Sequence, residues 1–238
     1  MPTLAQIHPQ VVHFAIALLL VGVLFRLISL SGRLKFTNHA AAVLLILGTI
    51  AVFVSVKSGD AAHGPVERIP GARPIVVEHE EAAELLENIF TGVVILEALA
   101  LGFAVVPRTH RFVKITHVAS ALVGIWGGWT LYQTAELGGQ IVYKYAGGPG
   151  LRSGEPADVE RLLLAGLYNQ SVADRRADRP ADAARLVSEM ARRFPSDTTV
   201  QFLMVESQLR DLNDPAAAQQ TLAGISLAAT DARFGARR

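Results

Sequence analysis

The sequence predicts an all-α protein: a four-helix transmembrane bundle followed by a small soluble domain of helical hairpins. Three observations predict it. Hydrophobic residues make up 51% of the 238 residues, and the mean hydropathy is +0.35, high for a soluble chain and low for a purely membrane one. That average divides into an apolar first half and a charged, Ala- and Arg-rich stretch after about residue 155. Finally, the apolar half breaks into four runs, each near the roughly 20 residues that cross about 30 Å of hydrocarbon. The expected boundaries are 1–140 for the membrane domain, 141–155 for a linker, 156–228 for the hairpins and 229–238 for a polar tail.

The runs fall at roughly 10–30, 39–57, 85–106 and 112–134. The first lacks a basic leader and is followed by basic residues, so it reads as a retained span rather than a signal peptide. Arg26, near its end, is expected to snorkel to the interface. The connection between runs one and two carries Arg33 and Lys35, and that between runs three and four carries Arg108, Arg111 and Lys114. The connection between runs two and three reads as a long acidic loop. The positive-inside rule then places the two basic connections in the cytoplasm of a bacterium. The N-terminus, the second connection and the hairpin domain face the periplasm, and the chain sits in the inner membrane.

This topology sorts the seven histidines. His8, His13, His63 and His79 collect at the outer end, His39 and His110 at the inner surface, and His117 inside the fourth run. Acidic and amide side chains join the outer group: Asp60, Glu80, Glu84, Glu87 and Gln133. Glu80, Glu84 and Glu87 share helical spacing and read either as a stripe facing the bundle or as a solvated helix start. His8 precedes Pro9 and reads either as a cap of the first helix or as a site residue. His13 is deeper and is expected to point into the bundle. His117 either ligates or hydrogen-bonds across the helices. It lies beside the small residues Ser120, Gly124, Gly127 and Gly128, which suit tight helix packing or a flat ring.

The chain has no cysteine, so it carries no disulfide, c-type haem linkage or thiolate metal site of its own. Any iron or other metal would rest on imidazole and carboxylate. The expected ligands are His13 and His79, with His8, His63 and His117 as alternates. Asp60, Glu80, Glu84, Glu87 and Gln133 are expected to orient them. The cofactor these residue types suit is b-type haem. A net charge of +1 offers nucleic acid no electrostatic footprint.

The opening "HPQVVHFAIALL" resembles the His-Pro-x-x-Val-His-Phe-Pro-Ile-Ala start of a bacterial predicted-membrane-protein family of unknown function. The turn expected over Gly59 to Ala62, the pair His79-Glu80 and the stretch "GGQIVYKYAGG" are similar to later features of that family. The resemblance covers about residues 7 to 150 and implies four spans and a bacterial membrane. It implies no activity. Ala15 stands where the family usually has Pro, which predicts a straighter first span.

After Glu155 the pattern is amphipathic and helical: "DVERLLLAGLYNQSVADRRA", "PADAARLVSEMARRF", "TTVQFLMVESQLRDL" and "PAAAQQTLAGI". "RPADAARLV" and "DPAAAQQTL" are similar at a spacing near the tetratricopeptide period, with Ala183 and Ala218 at matching small positions. Such repeats present partner surfaces. The expected function is an accessory subunit of a bacterial membrane redox complex, able to hold a histidine-ligated b-type haem. Its expected partners are the lipid bilayer and other protein subunits. The alternative is a purely structural or assembly subunit without cofactor. No nucleophile–base–orienter set appears, so stand-alone catalysis is not expected.

Overall fold

The computed structural model describes residues 3–148 and 155–226. It divides into two compact units, Met1–Ser153 and Gly154–Arg238. The expected tail at 229–238 and residues 149–154 of the expected linker lie outside the described residues, while the linker's first five residues are the end of the fourth helix.

The first unit is four long helices, α1 Leu4–Ser29, α2 Phe36–Glu67, α3 Arg73–Val105 and α4 Arg111–Tyr145. They run up, down, up and down, and each packs on the next, with α4 closing back on α1. Helices α1, α2 and α3 are long and apolar enough to cross a membrane. Helix α4 is as long, but Thr116, Ser120, Gly124, Gly127, Thr130 and Thr134 take its buried positions. Its apolarity sits on the outside instead, at Leu122, Ile125, Trp126 and Trp129. Outward apolar residues on the other helices, such as Leu20, Leu24, Leu47, Ile50 and Ile95, suit a lipid solvent.

Several expectations change. α1 starts at Leu4, not at Pro9. The Thr3 N–H donates to Gln6 Oε1 (2.8 Å) at that helix start, so Pro9 lies inside the helix and His8 caps nothing. The turn expected over Gly59 to Ala62 is helical, because α2 runs on to Glu67. The long acidic loop shrinks to residues 68–72. Tyr143 and Tyr145 belong to the last turn of α4.

Arg26 does not snorkel. It is 1% exposed and forms an ion pair with Glu97, also 1% exposed, across the bundle from α1 to α3. Arg26 Nε donates to Glu97 Oε1 at 2.8 Å, and Nη2 pairs with Oε2. Nη1 donates to Asn38 Oδ1 on α2 (2.5 Å) and to Ser29 Oγ (3.1 Å). Ser120 of α4 donates to Glu97 Oε1 (2.5 Å). All four helices therefore enter the cluster, α1 with two residues and the others with one each. Two charges taken out of water are tolerable only with such complete partnering.

Above the ion pair lies an apolar layer of Leu19, Leu45, Val52, Phe90 and Val93. Here the helices touch closely. A Cβ on Gly48 would fall 2.6 Å from Leu19, and one on Gly127 would fall 2.7 Å from Phe90. The two contacts are copies of each other. Ala15, Leu19, Gly22 and Arg26 on α1 match Leu86, Phe90, Val93 and Glu97 on α3 at one constant spacing, and all are buried. Thr37, Ala42 and Gly48 on α2 match Thr116, Ala121 and Gly127 on α4 in the same way, again all buried. The hairpin α1–α2 is thus repeated as α3–α4.

The second unit contains α5 Pro156–Arg176, α6 Pro180–Arg193, α7 Thr198–Arg210 and α8 Pro215–Gly224, packed in sequence. Pro opens α5, α6 and α8, where its missing N–H costs nothing. Asp197 and Asp214 accept from Val200 N (3.1 Å) and Ala217 N (2.9 Å) to cap α7 and α8. Each hairpin turn holds one left-handed residue, Asp178 (φ 57°) and Asn213 (φ 52°). Ala183 and Ala218 are both buried. Arg175 grips Asp211 through Nε to Oδ1 (2.9 Å) and Nη2 to Oδ2 (2.7 Å), tying the end of α5 to the end of α7.

Two outcomes follow from these ion pairs. Glu97→Ala strands a buried guanidinium and should lower stability by about 3–5 kcal/mol, whereas the double change Arg26→Leu with Glu97→Leu should recover most of it. Thermal unfolding of the detergent-purified protein measures both, and a single variant as stable as the parent would show that the pair does not hold the bundle. In the second unit, the Arg179 hydrogen bond holds the Asp174 carboxyl below its ordinary value. Burial alone would push Asp211 up, but hydrogen bonds from Arg175 and Ser207 outweigh it and its carboxyl is also lowered. A lowered carboxyl gives stability that is full above the unfolded value of about 3.9 and is lost as pH falls through the folded value. Amide-exchange protection of α5 and α7, corrected for intrinsic rates, should therefore drop in that acid range. The drop should flatten in Asp211→Asn.

Candidate functional site

At the end of the bundle opposite the ion pair, the four helices enclose a cavity of about 460 Å³. Its floor and walls are apolar, including Val12, Ile16, Val52, Val56, Leu86 and Leu131. All four histidines expected at this end, His8, His13, His63 and His79, line it, together with Asp60 and Glu80. The structure thus brings together residues far apart in sequence, because α1 and α3 begin here while α2 and α4 end here.

Each histidine is held differently. His79 on α3 donates from Nδ1 to the Thr134 carbonyl on α4 (2.9 Å). His8 on α1 donates from Nδ1 to the Ser55 carbonyl on α2 (3.0 Å), with Ser58 Oγ at 2.9 Å from the same nitrogen. A carbonyl only accepts, so in the neutral ring the hydrogen is on Nδ1 and Nε2 is the basic nitrogen. His13 uses its Nδ1 on the Pro9 carbonyl of its own helix (2.5 Å) and is exposed. It sits on the cavity rim rather than pointing into the bundle. His63 faces Glu80 Oε2 through Nδ1 (3.0 Å) and Glu67 Oε2 through Nε2 (3.6 Å), and Arg73 extends the chain to Glu67 (2.9 Å). These contacts lace α2 to α3 across the cavity mouth.

The other expected residues fall elsewhere. Glu84 is exposed, Glu87 is half-buried, and neither lines the cavity. The inward face of α3 is set by Val76, Leu86, Phe90, Val93 and Glu97, which turns the glutamate stripe aside. Gln133 is exposed, because its neighbours Leu131 and Thr134 take the inward positions. His117 lies on α4 one turn before Ser120, at the ion-pair end, about 25 Å along the helix from Thr134. His39 and His110 are exposed. Gly124 and Gly127 serve helix packing, against Val23 and Phe90.

Sequence reasoning missed Glu97, whose signal is plain in retrospect. It is the carboxylate in the middle of the third apolar run, ten residues beyond Glu87, and such a group needs a partner. It also missed Gly59 and Gly138. A Cβ on Gly59 would lie 3.3 Å from His8 Cε1, and one on Gly138 would lie 3.1 Å from His79 Cε1. These glycines leave room for the two rings to lie against a helix backbone.

Residues 5–149 match the family described as Predicted membrane protein (DUF2231). The chain belongs to that family. No curated protein and no solved structure matches it. The DUF2231 match spans the whole bundle, so the cavity and the ion-pair cluster both lie within the family region. Among the described residues of this DUF2231 protein, no three His, Asp or Glu side chains are grouped to hold a bare metal ion. The imidazoles at the cavity are instead presented singly, each from its own position.

The lacing at the mouth is partly exposed, so its strength is limited. Glu80→Gln should cost no more than about 1 kcal/mol, a loss that shrinks as salt rises. Melting curves of the DUF2231 protein at low and high salt read this directly. A loss several times larger would mean that the mouth, not the ion-pair end, holds the bundle closed.

Proposed function

We propose that this protein is an integral membrane subunit of a bacterial redox complex whose cavity holds a histidine-ligated b-type haem. The observation that carries the reading is the pinning of His8 and His79. Each gives its Nδ1 hydrogen to a main-chain carbonyl of the neighbouring helix, which is how proteins fix the tautomer and raise the basicity of a ligating imidazole. The donor set suits a porphyrin better than a free cation. A bare ion needs several protein ligands, whereas a porphyrin brings its own nitrogens and asks only for axial imidazole. Apolar walls and glycine-lined helix surfaces suit a flat, hydrophobic ring. Bound haem would supply one-electron chemistry. The chain's residues would hold it, orient it and exclude water.

In this reading α4 crosses the bilayer beside the other three helices, and the cavity faces the periplasm. The hairpin unit is the partner-facing part, with a tetratricopeptide-like repeat suggested by its matching turns and buried alanines. It would recruit the subunit that delivers or removes electrons.

The test is an absorption spectrum of the full-length protein purified in detergent from haem-replete cells. The expected result is a Soret band that shifts on reduction, with haem extracted in acid acetone as the non-covalent b type. A colourless protein that also takes up no added haemin would leave the structural-subunit reading in its place.

A further inference from the structure

We infer that the cavity is two copies of one half-site, and that His8 and His79, not His13, are the pair that would ligate iron from opposite sides. The inference rests on the haem reading above and goes beyond it by relating the two ligands through one repeated half-site and by excluding His13.

The half-site is a fixed device. A histidine near the start of one helix donates Nδ1–H to a carbonyl of the next helix, and its Cε1 edge lies over a glycine one turn further along. His8 uses the Ser55 carbonyl and Gly59. His79 uses the Thr134 carbonyl and Gly138. Ser55 and Gly59 stand in the same relation on α2 as Thr134 and Gly138 on α4, and they match at the spacing that already relates Gly48 to Gly127. His8 and His79 match at the spacing that relates Arg26 to Glu97.

That last correspondence locates the axis. Arg26 and Glu97 are equivalent positions on α1 and α3, and they touch each other. Equivalent positions touch only where they face a common axis. The same face continues up both helices in alternating steps of three and four residues. On α1 it passes through Gly22, Leu19, Ala15 and Val12 to His8, and on α3 through Val93, Phe90, Leu86 and Ala83 to His79. The buried members of these files remain buried on both sides, and the last three of each line the cavity or end in it. His8 and His79 are therefore delivered to one site from opposite helices. His13 is off this face: its equivalent is Glu84, and both are exposed. A planar metal macrocycle with two open axial sites accepts one imidazole from each of two opposed positions. Haem b is a member of that class that needs no thiol attachment, and this chain has no cysteine.

The experiment is haemin titration of the detergent-purified full-length protein, read by absorption and by electron paramagnetic resonance, with thermal unfolding run on each variant. The parent should give a six-coordinate, low-spin bis-imidazole spectrum. His8→Ala and His79→Ala should each convert it to a five-coordinate, high-spin form, and His13→Ala should leave it low-spin. Gly59→Ala and Gly138→Ala place a methyl against the ring edge and should each weaken haemin binding by about tenfold with the ligand histidines intact, so the proposal stands on them even if a histidine variant unfolds. Loss of the low-spin form in His13→Ala, with its retention in His8→Ala, overturns the pairing and leaves the haem reading standing. A parent that takes up no haemin overturns both.

Discussion

The contact between Arg26 and Glu97 is the constraint from which the rest of the bundle follows. A guanidinium and a carboxylate buried from water have few acceptable arrangements, and a bidentate pair has one. Satisfying it fixes the rotation of α1 and α3 about their own axes. Asn38 and Ser120 then fix α2 and α4 against the same charges. Once the rotation is set at one end, helical periodicity determines which residues face inward at the other. Leu19 and Phe90 arrive against Gly48 and Gly127, and about three helical turns beyond them the histidines reach the cavity. In lipid there is little hydrophobic drive between helices, so a polar cluster has unusual authority over register.

The histidine end obeys a different rule. Here the helices run past the apolar runs. α2 continues to Glu67 and α3 starts at Arg73, and the extensions form the cavity's upper wall and its laced mouth. An imidazole half-buried among apolar walls needs one hydrogen bond fixed in place, and main-chain carbonyls of neighbouring helices supply it. The Thr134 oxygen offers His79 a lone pair beyond its helical bond, while the Ser55 oxygen is shared by His8 and the Ser58 hydroxyl of its own helix (2.9 Å). Glycine one turn further along brings the ring close to the helix surface.

The long apolar runs made the first three helices legible in the sequence, and the alternation of basic connections brought four distant histidines to one end. Much of the remainder was hidden for physical reasons. Gly59 reads as a turn residue, yet α2 absorbs it because Gly59 is packed against His8. Helical spacing placed the glutamates on a single face, but it does not say which face is inward. That choice belongs to Glu97, whose partner lies on another helix. The repeat of the hairpin is faint in sequence, since equivalent positions hold different residues, Arg26 against Glu97 and Leu19 against Phe90. Only the pattern of burial and contact exposes it. In the second unit the paired Pro-opened helices were readable from composition, and the bidentate grip of Arg175 on Asp211 was not.

The apolar layer between the two polar ends has an electrical consequence. Leu19, Leu45, Val52, Phe90 and Val93 fill the cross-section, and the hydroxyl buried among them, Thr49, is spent on the Leu45 carbonyl of its own helix (2.7 Å). No buried titratable side chain lies in that layer among the described residues. In the membrane-spanning reading proposed above, the slab is the low-dielectric layer between the two polar ends, and a transmembrane voltage would fall across it.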